Sequence, residues 1–165
     1  MDTCEKRRKI LQVLQARARL TAEQIGDRLQ LPAAEVAALI EAMEADGTLL
    51  GYRALVRPEA AGNGEVRAII EVEVQPEREG GFDRVARAIA RFDEVRDVYL
   101  VSGRYDLRLE VVGDSLQEVA LFVASKLASI QGVKGTATYF LLKKYKEAGF
   151  VLEKGEEYER LKVSA

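Results

Sequence analysis

The hydrophobic period of this 165-residue chain first changes near residue 60, and that change limits the folds open to it. Before it, apolar residues recur every three or four positions: Ile10, Val13 and Leu14, then Ile25 and Leu29, then Val36, Leu39, Ile40 and Met43. Just after it they alternate, as in Val66, Ala68, Ile70, Val72 and Val74. The first spacing lines one side of a helix and the second one face of a strand. The sequence therefore predicts a small helical unit followed by a sheet-containing one. Between them, Arg57-Pro58-Glu59-Ala60-Ala61-Gly62-Asn63-Gly64 breaks both patterns as a linker does. The expected divisions are a head over 1–56, a linker over 57–64, a sheet domain over 65–145 and a tail hairpin over 146–165.

Within the head, Thr21 followed three residues later by Gln24 forms a capping box ahead of Ile25 and Leu29. Pro32 suits the first position of a third helix, which Asp46-Gly47 ends with a glycine cap. Two helices joined through the short turn Gln30-Leu31 have helix-turn-helix spacing. An ordinary three-helix bundle fits the same periodicity. Residues 49–56 alternate, as a wing or a linking strand would.

In the second unit a strand around 66–74 leads to a helix marked by Phe82, Val85, Ala86 and Ile89. A hairpin follows over 95–102 and 106–112, then a helix with Leu116, Val119, Ala120, Val123, Leu127 and Ile130 on its apolar side, then a strand over 133–142. The order β-α-β-β-α-β predicts an α+β, ferredoxin-like domain. Ser102, Gly103, Arg104, Tyr105 and Asp106 join the middle strands, so a tight turn carries a hydroxyl, a guanidinium, a phenol and a carboxylate at the sheet rim. Such groups could hold a small zwitterion. In the last strand Thr136, Thr138, Phe140 and Leu142 point one way and Ala137, Tyr139 and Leu141 the other, which gives the sheet apolar residues on both faces. A second subunit, or the tail hairpin expected over 150–163 around Gly155, would cover the open face. The many charges of that tail favour the second subunit, making the chain a homo-oligomer.

A 48% hydrophobic content with 32% charged residues of mixed sign describes a soluble globular chain. No window approaches the roughly 18 apolar residues of a membrane span, and the N-terminus has no apolar leader core, so a cytoplasmic protein without a membrane partner is expected. Cys4 is the one cysteine and has no disulfide partner. The chain contains no histidine, the commonest metal ligand and general base near neutral pH, and no Gly-rich phosphate loop or serine elbow. Catalysis, a cofactor and a metal are accordingly not expected.

Taken together, the helix-turn-helix head, the linking run Leu50-Gly51-Tyr52-Arg53-Ala54-Leu55-Val56 and the β-α-β-β-α-β unit with Ser102-Gly103-Arg104-Tyr105-Asp106 between its middle strands resemble the Lrp/AsnC transcription regulators. The resemblance covers residues 5–145. It implies a winged head that binds double-stranded DNA, a ligand-sensing tail, dimers formed by the tail sheets, and rings of dimers whose assembly an amino acid shifts. It also implies an effector pocket at a contact between dimers, built here on Ser102, Gly103, Arg104, Tyr105 and Asp106 with Thr136 and Thr138 as neighbours. Asp106 would accept from an α-ammonium, while turn N–H groups and threonine hydroxyls would donate to the α-carboxylate. The same turn is consistent with Asp106 acting only as a cap and Tyr105 only packing.

The third helix departs from a usual base reader. Its outer positions are Ala33, Ala34, Ala37, Ala38 and Glu41, none of which makes a bidentate contact to a base edge, and alanine reaches only a thymine methyl. Glu41, Glu44 and Asp46 would oppose phosphates. Phosphate contacts are therefore expected from Lys6, Arg7, Arg8, Lys9, Arg28, Arg53 and Arg57, with Arg17 and Arg19 nearby. Gln30 also occupies the position of the family's usual turn glycine. An alternative function is a metabolite-sensing oligomer that has lost sequence-specific DNA binding and acts through a protein partner. A third is an enzyme, since sirohaem decarboxylases share a similar head-and-tail architecture, but the lack of histidine removes the usual haem ligand.

Overall fold

A computed structural model describes residues 1–57, 60, 64–75 and 81–152, which fall into two compact units, Met1–Leu55 and Val56–Ala165. In the first, three helices surround Ile10, Leu14, Ile25, Val36 and Met43. Helix α1 spans Thr3–Ala16 and is capped by Asp2, whose carboxylate accepts from the Glu5 N–H. Helix α2, Ala22–Leu29, starts at the expected capping box: the Gln24 N–H donates to the Thr21 hydroxyl (3.3 Å) and the Thr21 N–H to Gln24 Oε1 (3.1 Å). Helix α3 spans Ala33–Ala45 with Pro32 one position earlier than expected, as the cap residue. A cap needs no N–H of its own to enter the helix, so proline is tolerated there too.

The α2–α3 turn depends on one unusual backbone and one missing side chain. Gln30 ends α2 in the left-handed conformation (φ 57°, ψ 46°), a region that glycine enters more cheaply. Gly26, buried inside α2, lets the chain fold back tightly: a Cβ there would lie 2.6 Å from the carbonyl oxygen of Leu31. The expected wing strand is not formed. Residues 50–57 carry no sheet pairing, and Leu50 is 94% exposed. Alternation alone marks extended backbone, which needs a hydrogen-bonding neighbour to become a sheet. The Tyr52 hydroxyl ties this segment to α3 by donating to Glu44 Oε1 (2.8 Å).

In the second unit, β1 (Val66–Val74), α4 (Gly81–Ile89), β2 (Val95–Leu100), β3 (Leu107–Gly113), α5 (Leu116–Leu121) and β4 (Val133–Phe140) follow the expected β-α-β-β-α-β order. The antiparallel sheet has the strand order β2-β3-β1-β4. Ala68, Ile70, Val72 and Val74 of β1 and Leu107, Leu109 and Val111 of β3 are buried with Val85, Ile89, Val119, Phe122 and Leu127 from the helical layer. Beyond α5 the chain widens into a π turn over Phe122–Lys126 and tightens into a 3-10 turn over Leu127–Ser129, with the Leu127 N–H reaching Phe122 O. The wide turn shifts the helical phase by about one residue. Phe122 is therefore buried while Ala120, assigned to the apolar side by a uniform 3.6 period, is exposed.

The other sheet face is more polar than the sequence reading expected. Cross-strand partners share a face, so Ile69, Glu71 and Glu73 lie opposite Tyr139, Ala137 and Gly135 of β4, while Glu71 and Ile69 lie opposite Arg108 and Glu110 of β3. Arg67 binds Glu65 (2.9 Å) and Glu110 (3.1 Å) on this side. Apolar residues on both faces thus describe β4 and not the sheet as a whole. A two-stranded ribbon follows, β5 (Lys146–Glu147) with β6 (Phe150–Val151), turning at Ala148 (φ 43°) and Gly149 (φ 89°). The described hairpin is thus earlier than the one expected around Gly155, which lies outside the described residues.

Candidate effector turn and DNA-binding head

The link from β2 to β3 is a six-residue loop rather than a tight turn, closed at its ends by the Val101 N–H donating to Asp106 O (2.9 Å). Ser102, Gly103 and Arg104 are exposed, and Gly103 has φ 151°, which an L-residue rarely adopts. The Arg104 guanidinium stands 5.6 Å from the centroid of the Tyr105 ring. Asp106 is tied to β1 twice: its N–H donates to Val72 O (3.0 Å), and its carboxylate accepts from the Val74 N–H (2.8 Å). Asp106 therefore anchors the loop to the end of the central strand with one carboxylate oxygen.

Several groups near this loop were not singled out from the sequence. Lys134 pairs with Glu73 (2.6 Å), and that hydrogen bond and charge, with a contribution from Asp106, raise its pKa. The Tyr139 phenol is raised by the charge of Glu71, with further contributions from burial and Tyr105 and an opposing one from Arg104. Asp106 thus acts on Lys134, and Arg104 and Tyr105 on Tyr139, through charge. Only the β1–β4 register, in which Ile69 meets Tyr139 and Glu73 meets Gly135, could have signalled this. Thr136 and Thr138, by contrast, pair with Val72 and Ile70 and share their helix-facing side. Strand β1 lies between these half-buried threonines and the loop, so the structure does not gather them with Asp106.

The head's basic residues divide into two groups. Lys6 pairs with Glu35 at 2.5 Å, and Arg7 holds the Asp46 carboxylate and the Thr48 hydroxyl (3.1 Å), so both tie α1 to α3 or its end. Lys9 pairs with Glu5 (3.1 Å), and Arg53 is engaged within the chain. Arg8, Arg17, Arg19 and Arg28 are exposed with no acidic partner among the described residues, and Arg57 is exposed at the end of the segment that follows. Thr48 and then Arg7 hold Asp46 well below an ordinary carboxyl, at about 2. Residues 1–55 contain eight Lys and Arg against eight Asp and Glu, so the head has no net charge with which to attract DNA from a distance.

Residues 67–150 match the model of the Lrp/AsnC ligand binding domain, and residues 5–49 match that of a winged helix-turn-helix DNA-binding domain. The chain belongs to the Lrp/AsnC family. It is 40% identical over 165 residues to the HTH-type transcriptional regulator YugG of Bacillus subtilis, covering 99% of each chain. Among solved structures it is similar to the transcriptional regulator NMB0573 of Neisseria meningitidis in complex with L-Met, with 27% identity, a TM-score of 0.66 and coverage of 89% and 93%. The fold also matches the leucine response regulatory protein LrpA of Mycobacterium tuberculosis, with 20% identity, a TM-score of 0.71 and coverage of 93% and 100%. As an Lrp/AsnC protein the chain is a transcriptional regulator with a DNA-binding head and a ligand-binding domain, not an enzyme.

Proposed function

We propose that this Lrp/AsnC regulator is a cytoplasmic homo-oligomer built from dimers, which binds double-stranded DNA through its head and answers an amino acid held at the loop 102–106. The observation that carries the effector reading is the construction of the loop: Asp106 fastens its end to Val74, while exposed Ser102, Gly103 and Arg104 project beyond it. Its second carboxylate oxygen and the exposed backbone of Gly103 suit an α-ammonium and an α-carboxylate respectively. That the similar regulator NMB0573 was solved with L-Met supports an amino acid as the class of effector. In the head, Arg8, Arg17, Arg19 and Arg28, with Arg57 just beyond it, are the side chains most available to phosphates, because Lys6, Arg7 and Lys9 already meet carboxylates.

Calorimetric titration with each amino acid tests the effector site on wild type and Asp106→Asn. The amide oxygen can keep accepting from Val74 N–H while the charge is lost, so the fold should persist. The charge-assisted contact is worth about 1.5–3 kcal/mol, which predicts affinity at least tenfold weaker. Equal affinity in the two proteins would leave Asp106 as an anchor alone.

A further inference from the structure

The outer surface of α3 is made largely of alanine methyl groups. Ala34, Ala38, Ala42 and Ala45 are exposed and Ala37 is half-buried. The acids that would spoil this surface are mostly held by neighbours: Glu35 by Lys6, Glu44 by the Tyr52 hydroxyl and Asp46 by Arg7. Glu41 alone among them has no such partner among the described residues. In a helix-turn-helix the second helix enters the major groove with its N-terminal residues at the base edges. There the only base feature an alanine can recognise is the thymine 5-methyl group.

We infer that α3 reads DNA by apolar contact with thymine methyls, with Ala34 and Ala38 as the specificity-determining residues. The two lie four residues apart on one face, so their methyls are separated by about 6 Å along the helix axis. Two base steps of about 3.4 Å each span a similar distance. Apart from Glu41, such a face has no free polar side chain to desolvate, and its small side chains allow the helix to sit close to the groove floor. The pairing of Glu35 and Asp46 with α1 cations also weakens their repulsion of the flanking phosphates. This inference rests on the head binding DNA.

The test uses the full chain and a pool of random 40-base-pair duplexes, sequencing the bound fraction. The enriched half-site should contain thymines. That duplex is then remade with deoxyuridine, which lacks only the methyl, in place of thymine inside the half-site or outside it. Replacement inside should weaken binding about fourfold per contacted methyl, and replacement outside should leave it unchanged. In Ala38→Gly the preference for thymine over deoxyuridine should fall towards one, a ratio that cancels any general loss of helix stability. Equal binding of the two duplexes, or an enriched half-site without thymine, would overturn the inference. Binding without enrichment would also overturn it while leaving DNA binding intact. Binding to no duplex at all would remove the DNA-binding reading together with it.

Discussion

Gly26→Ala is a one-methyl change whose sign depends on the geometry of the α2–α3 turn. Helix propensity alone favours alanine by about 1 kcal/mol. Against this, the new Cβ would lie 2.6 Å from Leu31 O, and ordinary van der Waals contact begins near 3.4 Å. The obstacle is backbone, so no side chain can swing away. The Leu31 N–H donates to Gly26 O at 3.0 Å, so opening the turn by the missing ~0.8 Å stretches that bond past useful length. Overpacking costs about 1–3 kcal/mol and the weakened hydrogen bond about 1 kcal/mol. After the gain in propensity, the head should lose about 1–3 kcal/mol. A urea titration followed by NMR signals of Ile25 for the head and Ile70 for the sheet domain reads the two units separately. The head transition should move to lower urea with the Ile70 transition fixed. A head that melts at the same or higher urea would show that the turn has slack and that the steric argument is wrong.

At the neighbouring left-handed position the sign reverses: Gln30→Gly relieves about 1 kcal/mol of strain but gains unfolded-state freedom, so stabilisation of zero to about 1 kcal/mol is expected in the same titration. The Asp46 carboxyl should titrate near pH 2 by NMR, with Thr48→Val and Arg7→Ala each raising its midpoint. Because its folded value lies below the ordinary 3.8, the stabilisation it reports is present above that pH and lost as pH falls through about 2. In the sheet domain, Phe122→Ala removes a buried ring packed edge-on against Phe92 (5.5 Å) and should cost about 3–5 kcal/mol in thermal or chemical melts. Leu121→Ala, one residue away but 65% exposed, should stay within about 0.5 kcal/mol of wild type.

Elements with strong local signals were legible in the sequence. The Thr21–Gln24 capping box, the burial of Val36 and Met43 and the alternation of β1 each follow from residues close together in the chain. What could not be read depended on partners distant in sequence or on a departure from regular geometry. Residues 49–56 alternate as a strand does, yet no neighbouring strand pairs with them among the described residues. The π turn displaced Ala120 from the apolar side because a uniform period cannot register one additional residue. At the candidate effector loop, Asp106 was legible as a candidate, but its bond to Val74 spans 32 positions. The same distance effect hid the ties between Lys6 and Glu35 and between Arg7 and Asp46, and so which cations remain for phosphate.

The bond from the Val74 N–H to Asp106 is unlike the other rungs between β1 and β3, because its acceptor is a side chain standing in for main chain. A backbone rung persists whatever residues occupy the two strands, since every residue supplies a carbonyl. This one exists only where the genetic code writes a suitable side chain. Where the sheet meets the loop 101–106, the backbone bond from the Asp106 N–H to Val72 O is thus supplemented by a connection that a single codon can delete while the strands retain the rest of their ladder. Evolution could thus loosen or tighten the joint between loop and sheet without redesigning the domain, and homologues differing at position 106 would be natural experiments on that joint.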